Sequence, residues 1–352
     1  MNKLIELIPR QKAILNLLAQ FEVLSREHIT DKLKMVYPVS KATLARDLSD
    51  LLVKGQIIAE GSGPSRVYKS ALVHPLLKYV DLHQYFALEV DQRTNTKLSF
   101  NSAVFDELHN LISVDEQTEL NTAFRSFTHA TEKVDTTIRQ QELERFVIEL
   151  SWKSSKIEGN TYTLLDTERL IKEQQEAQGH PQHEAVMILN HKDAFQTIIK
   201  DRSAFKEITV RSILELHNVL TKNLSIESGI RKHAVGITGT AYRPLDNEWQ
   251  IKEALERLVS TVNSARYPLE KGLILASMLA YLQPFADGNK RTARMFSNAV
   301  LLAYDYFPLS YRSIDENEYK SAQLLFYETN NLYHVKRLFL EQYAFALKTY
   351  FA

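Results

Sequence analysis

Two arginines three residues apart, Arg291 and Arg294, follow a short loop, Pro284-Phe285-Ala286-Asp287-Gly288-Asn289, that leads into a helix. Residues at this spacing share a helix face, so both guanidiniums can fork onto the oxygens of one phosphate chain. The first backbone N–H groups of such a helix lack intrahelical acceptors, and the helix dipole adds positive charge there. Gly288 permits close approach to the backbone, and Lys290 adds another cation. Asp287 offers a hard oxygen ligand for Mg2+. A cationic cradle with one carboxylate suits a magnesium-bound nucleotide. Taken alone, the same residues also fit two packed helices with solvated arginines.

The elements that must position these residues can be read around them. Residues 272–282 form an apolar helix, and Pro284 ends it because the residue before a proline is pushed out of the α region. Asn289 is the expected N-cap of the next helix, KRTARMFSNAVLL. Upstream, VDEQTELNTAFRSFTHATEKVDTTIRQQELERFVIELSW repeats its apolar residues at helical spacing, and Glu158 and Gly159 mark a helix end beyond it. Between these regions HAVGITGTAY alternates apolar and polar residues with glycines, which reads as a β-hairpin carrying Gly236, Ile237, Thr238 and Gly239.

The run Gln283-Pro284-Phe285-Ala286-Asp287-Gly288-Asn289-Lys290-Arg291-Thr292-Ala293-Arg294 resembles the Fic family signature His-Pro-Phe-x-Asp-Gly-Asn-Gly-Arg-x-x-Arg. Lys290 departs from the commonest form but resembles the Asn-Lys-Arg-Thr wording of other Fic and Doc proteins. The resemblance, over residues 131–352, implies a mainly α-helical fold and transfer of AMP from ATP to a protein hydroxyl. By it, Asp287 would hold Mg2+, Gly288, Asn289 and Arg291 would bind the α- and β-phosphates beside Lys290, and Arg294 would meet the γ-phosphate. Ser154-Ser155-Lys156-Ile157-Glu158-Gly159 resembles the family's inhibitory motif, whose glutamate pairs with the last signature arginine. One guanidinium cannot fork onto a carboxylate and a phosphate in the same geometry. The hairpin at 228–245 would be the flap that holds the acceptor segment by strand addition.

One departure divides binding from catalysis. Gln283 stands where the signature has its general base. A glutamine amide has no usable pKa, and losing a positioned base costs ~10²–10⁴-fold in rate. His191, His217 and His233 lie in the same region, with nothing local to mark any of them as a replacement. Two function classes follow: a protein adenylyltransferase held off by Glu158, or an inactive Fic scaffold acting as a nucleotide-responsive, DNA-binding regulator.

The second class draws on residues 1–70. An amphipathic helix, a helix opened by Ser25, a third opened by Ser40 and closed at Gly55, and an alternating segment with a Gly-Ser-Gly-Pro turn make a winged helix-turn-helix order. VSKATLARDLSDLLVKGQIIAEGSGPSRVY also resembles that family in sequence. Lys41, Thr43 and Arg46 on the third helix and Arg66 in the wing are the candidate DNA contacts. Residues 1–70 hold eleven basic and seven acidic side chains, a net +4, which permits DNA contact and equally permits protein docking or a homodimer. Residues 71–130 read as a helical connector, with a helix expected over Phe100–Ile112 and no metal spacing among His74, His83, His109 and His129.

Composition bounds the rest. With 43 basic and 43 acidic residues in 352, no global field for nucleic acid or membrane is expected. No apolar stretch is long enough to span a bilayer, and MNKLIELIPRQK lacks the pattern of a secretory signal. The absence of cysteine removes disulfides and thiol chemistry and is compatible with a cytoplasmic location.

Overall fold

Ser25 and Ser40 each turn a hydroxyl onto a free helix N–H, of His28 and Thr43 respectively, and so set where two of the first three helices begin. The structure is a computed structural model that describes residues 7–21, 23–34, 37–71, 74–132 and 134–351. It divides into two compact units, the first running to Thr94 and including Asn330–His334, the second holding the remainder.

In the first unit α1 (Pro9–Phe21), α2 (Arg26–Leu33) and α3 (Lys41–Val53) pack with a three-stranded antiparallel sheet of β1 (Val23–Ser25), β2 (Ile57–Glu60) and β3 (Val67–Ser70), in the order β1-β3-β2. Ile14, Leu18, Ile29, Leu44, Leu48, Leu51 and Ile57 form its core. The β2–β3 turn needs glycine: Gly61 has φ +78°, and a Cβ there would lie 2.7 Å from the Ser65 carbonyl oxygen. Arg10 of α1 forks onto Asp47 of α3, which satisfies an otherwise buried carboxylate. A short helix, α4 (Leu82–Phe86), follows.

The second unit is helical: α5 (Val114–Thr131), α6 (Thr136–Ile157), α7 (Leu164–Glu173), α8 (Gln182–Lys200), α9 (Val210–Thr221), α10 (Glu248–Ser264), α11 (Pro268–Leu282), α12 (Asn289–Ala303) and α13 (Glu316–Thr329), then most of α14 (Tyr333–Thr349). Its centre is the α11–α12 pair. All of α11 from Leu269 onward is buried, and so is all of α12 except Lys290. A helix apolar on every side must be enclosed on every side. Gly272 allows the close approach, since a Cβ would sit 3.1 Å from Ser297 Oγ and 3.2 Å from the Phe339 ring. No helix among the described residues is long and apolar enough to cross a membrane.

Three expectations are corrected. Phe100–Ile112 contains a 3-10 turn, Ser102–Glu107, instead of an α-helix. Gly288, at φ +80°, caps α12, so Asn289 is the first helical residue and its side chain is used elsewhere. The flap at 228–245 forms no paired strands; two of its backbone N–H groups bond to other segments. Arg231 N donates to the Pro284 carbonyl, Arg243 N donates to the Leu98 carbonyl, and Arg243 makes an isolated bridge with Ser99. The segment crosses the body as an extended loop with one turn at Thr238-Gly239.

Candidate functional site

A cleft of about 470 Å³ opens where α12 begins. Gln283 and Ala286–Lys290 form one side, Tyr319, Lys320, Gln323, Leu324 and Tyr327 of α13 another, and Val235–Thr238 of the flap a third. Ile157 and Glu158, at the end of α6, close one end.

The loop from α11 to α12 is built by its side-chain amides. Gln283 takes the left-handed conformation, φ 49°. Its Nε2 donates to the Ala280 carbonyl (2.6 Å), and its Oε1 accepts from Asn289 Nδ2 (2.9 Å). Asn289 also accepts from Phe285 N (2.8 Å) and donates to the Phe285 carbonyl (2.9 Å), so one side chain knits both ends of the loop. The His217 ring stacks on Phe285 with centroids 3.6 Å apart, and its Nε2 donates to the Asp287 carbonyl (3.0 Å). Burial pushes the His217 pKa down. The ring supports the loop.

The two arginines are placed differently from each other. Arg291 is 2% exposed and its Nη2 donates to Asp287 Oδ2 (3.1 Å), whose side chain is 70% exposed in the cleft. Arg294 is fully buried. Its Nη2 donates to Glu158 Oε1 (2.8 Å) and to the Ser154 carbonyl (2.9 Å), and its Nε to Ser154 Oγ (3.0 Å). Lys290 Nζ stands 4.0 Å from the other Glu158 oxygen. Burial would raise the Glu158 pKa, but Arg294, Lys290 and Arg291 together hold it below the ordinary carboxylate value. Burial works against the charged form of Arg294 too, and Glu158 more than compensates, so its pKa rises. Both members of the pair stay charged.

Ser154 connects this pair to a buried histidine. His191 Nε2 lies 2.8 Å from Ser154 Oγ and Nδ1 lies 2.8 Å from the Met187 carbonyl. Only one tautomer satisfies both: Nδ1–H donates to Met187 and Nε2 accepts from the serine, which is then free to accept from Arg294. Burial pushes the His191 pKa down to about 3, against the Met187 carbonyl and with help from Arg291 and Arg294. An unfolded histidine titrates near ~6.5. Between those values the unfolded chain binds a proton that the folded chain refuses, so stability falls as pH drops through this window. The slope is up to about 1.4 kcal/mol per pH unit. Urea unfolding at pH 7 and pH 5 should show that loss in the protein as it stands and a smaller one in His191→Gln.

Arg231 was not singled out by sequence. It is 1% exposed, and its guanidinium donates to the carbonyls of Gln283 (2.7 Å), His233 (2.7 Å) and Leu245. One cation thereby ties both roots of the flap to the Gln283 loop. Gly239 at the tip packs on Leu324 of α13, where a Cβ would be 3.4 Å away. His233 is exposed at the flap root, 3.8 Å from Glu227 and outside the cleft lining. Gly159 follows Glu158 with φ +97° and lets the chain leave α6.

Asp287, the start of α12 and Lys290 line the cleft and suit the phosphates of a magnesium nucleotide, whereas Arg291 and Arg294 are buried behind that lining. The first α12 backbone bond is Thr292 N to the Gly288 carbonyl, which leaves the N–H groups before it without helical partners. Arg291 Nη1 is buried without a hydrogen bond. Among the described residues no three acidic or histidine side chains cluster to hold a metal alone. A magnesium ion at Asp287 would therefore share its coordination with phosphate oxygens and water.

In the first unit, Lys41, Arg46 and Arg66 are exposed on α3 and at the start of β3, and Thr43 is partly buried beside the Ser40 cap.

Residues 207–301 match the Fic/DOC family model. The chain is 30% identical over 175 residues to the "Protein adenylyltransferase Fic" of Nematostella vectensis, covering 48% of this chain and 40% of that protein. It is 28% identical over 190 residues to the Drosophila willistoni protein of the same name, covering 53% and 38%. The chain thus spans about two fifths of the curated relatives it matches. Fic-1 (aa134–508) from C. elegans superposes with a TM-score of 0.58 at 20% identity, covering 68% of this chain and 72% of that one. A Fic domain containing signalling protein from Bacteroides thetaiotaomicron gives 0.54 at 18%, covering 66% and 93%. Residues 207–301 thus match the Fic/DOC family, and the chain has the fold of solved Fic proteins.

Proposed function

We propose that the cleft binds Mg-ATP in the manner of protein adenylyltransferases, that Glu158 restrains it, and that Gln283 leaves it without the base for AMP transfer. The charged Glu158–Arg294 pair, with Glu158 lining the end of the cleft and Arg294 buried behind it, carries the reading. In this reading the α12 N–H groups, Lys290 and Arg291 take the α- and β-phosphates, Asp287 takes the magnesium ion, and Arg294 is withheld from the γ-phosphate until Glu158 leaves. The flap at Gly236–Thr238 lies across the cleft, and its unpaired backbone suits an extended acceptor segment. Equilibrium dialysis with labelled ATP tests this: saturable, magnesium-dependent binding to the Glu158→Gly protein is the expected result, and its absence refutes the reading.

A second reading, a nucleotide-responsive DNA-binding regulator, draws support from two observations. Both ends of the Gln283 amide are committed, to Ala280 of α11 and Asn289 of α12, so no proton acceptor is presented there. The first unit shows exposed cations on α3 and near the β2–β3 turn, as a winged helix would. Duplex DNA binding should then weaken with salt, and Arg46→Ala should lower the log–log salt slope by about one phosphate contact. A salt-independent or absent interaction would return the unit to protein docking or dimerisation.

A further inference from the structure

We propose that α13 reads the base of the nucleotide, through the side-chain amide of Gln323 with the hydroxyl of Tyr327 beside it. This rests on the nucleotide-binding reading above and deepens it.

Tyr319, Gln323 and Tyr327 are spaced four apart on α13, hence on one face, and all three line the cleft. Gln323 is 2% exposed and Tyr327 fully buried. Neither end of the Gln323 amide, nor the Tyr327 hydroxyl, makes a hydrogen bond of normal length and angle. The Tyr319 hydroxyl lies near Gln323 and the Gln283 amide near Tyr327, both short of that geometry. Elsewhere around the cleft both ends of each amide are hydrogen-bonded, as Gln283 and Asn289 show. Buried polar groups are expensive to leave unmet, so a polar wall of this kind calls for an occupant.

The chemistry of the wall says which occupant. A primary amide offers one donor edge and one acceptor side by side, and its planar match is the edge of a nucleobase, as in the bidentate pairing of glutamine with adenine. Burial pushes the Tyr327 phenol well up, so it stays protonated and can donate. The α12 side of the same cleft offers backbone N–H groups and Lys290. A ligand that satisfies both sides has an anionic end and a flat polar end. The amide can turn over, so it serves an adenine or a guanine edge. It discriminates against a purine without an exocyclic group.

The test uses the full chain carrying Glu158→Gly, with and without Gln323→Leu, and three magnesium-loaded probes: ATP, purine riboside triphosphate and inorganic tripolyphosphate. ATP should bind about tenfold tighter than purine riboside triphosphate, for one lost buried hydrogen-bond pair. Gln323→Leu should remove most of that difference and leave tripolyphosphate affinity unchanged. Gln323→Glu, which keeps the size but loses the donor, should also weaken ATP, and thermal midpoints will show that both variants fold. Equal affinity for the two triphosphates, or no effect of Gln323→Leu, overturns the inference while tripolyphosphate binding upholds the phosphate site. If none of the three probes binds, the underlying reading falls and this one with it.

Discussion

A protein carrying both Glu158→Gly and Gln283→His transfers AMP from α-labelled ATP about 10²–10⁴-fold faster than one carrying Glu158→Gly alone. The size follows from the chemistry of one position. Gln283 has no titrating group, and its amide is held at both ends, by Ala280 and Asn289. Three other groups lining the cleft are poor neutral-range bases: Glu158 is held below the ordinary carboxylate value, and Tyr319 and Tyr327 are pushed up by burial. Histidine tolerates the left-handed backbone that position 283 requires better than most residues. The substitution therefore restores a base and leaves the Asn289 bonds to Phe285 that close the loop. Autoradiography of the protein and of added acceptors after incubation reads the outcome. Equal label with and without the histidine would mean that another group takes the proton.

Removing Glu158 alone changes binding in a separate way. Glu158→Gly should raise the affinity for Mg-ATP about 10- to 100-fold, the worth of one charge-assisted bond freed for phosphate. Arg294 is fully buried and has Ser154 and Glu158 as its anchors. With the carboxylate gone, a buried guanidinium loses its counter-charge, which costs about 3–5 kcal/mol where it happens. The variant should therefore melt lower when empty and gain more from Mg-ATP than the parent, since a ligand stabilises by mass action. Thermal scans with and without nucleotide show both effects together. A parent and variant with the same nucleotide-induced shift would separate Glu158 from the site.

The cradle was legible because its parts are contiguous: Asp287, Gly288, Lys290, Arg291 and Arg294 lie within one turn and a half of a helix start. The Glu158–Arg294 pair, 136 residues apart, was legible only through motif resemblance, because spacing in the chain says nothing of it. Apolar alternation in HAVGITGTAY suggested pairing, but pairing needs free carbonyls, and Arg231 takes two at the flap roots. No local pattern distinguishes a buried arginine from a solvated one. The polar face of α13 was present as a four-residue spacing, yet its meaning depends on the cleft it faces. The Asn289 cap went to Gly288 because a left-handed glycine already turns the chain into α12.

The proposed restraint is competition between a carboxylate and a phosphate for one guanidinium. Its most direct test is the equilibrium affinity of Mg-ATP for three proteins: the chain as it stands, Glu158→Gly, and Glu158→Gly with Arg294→Gln. The account predicts weak, tight and again weak binding, with the second step about tenfold or more. Tight binding that survives the loss of Arg294, or an affinity unmoved by Glu158→Gly, would contradict it.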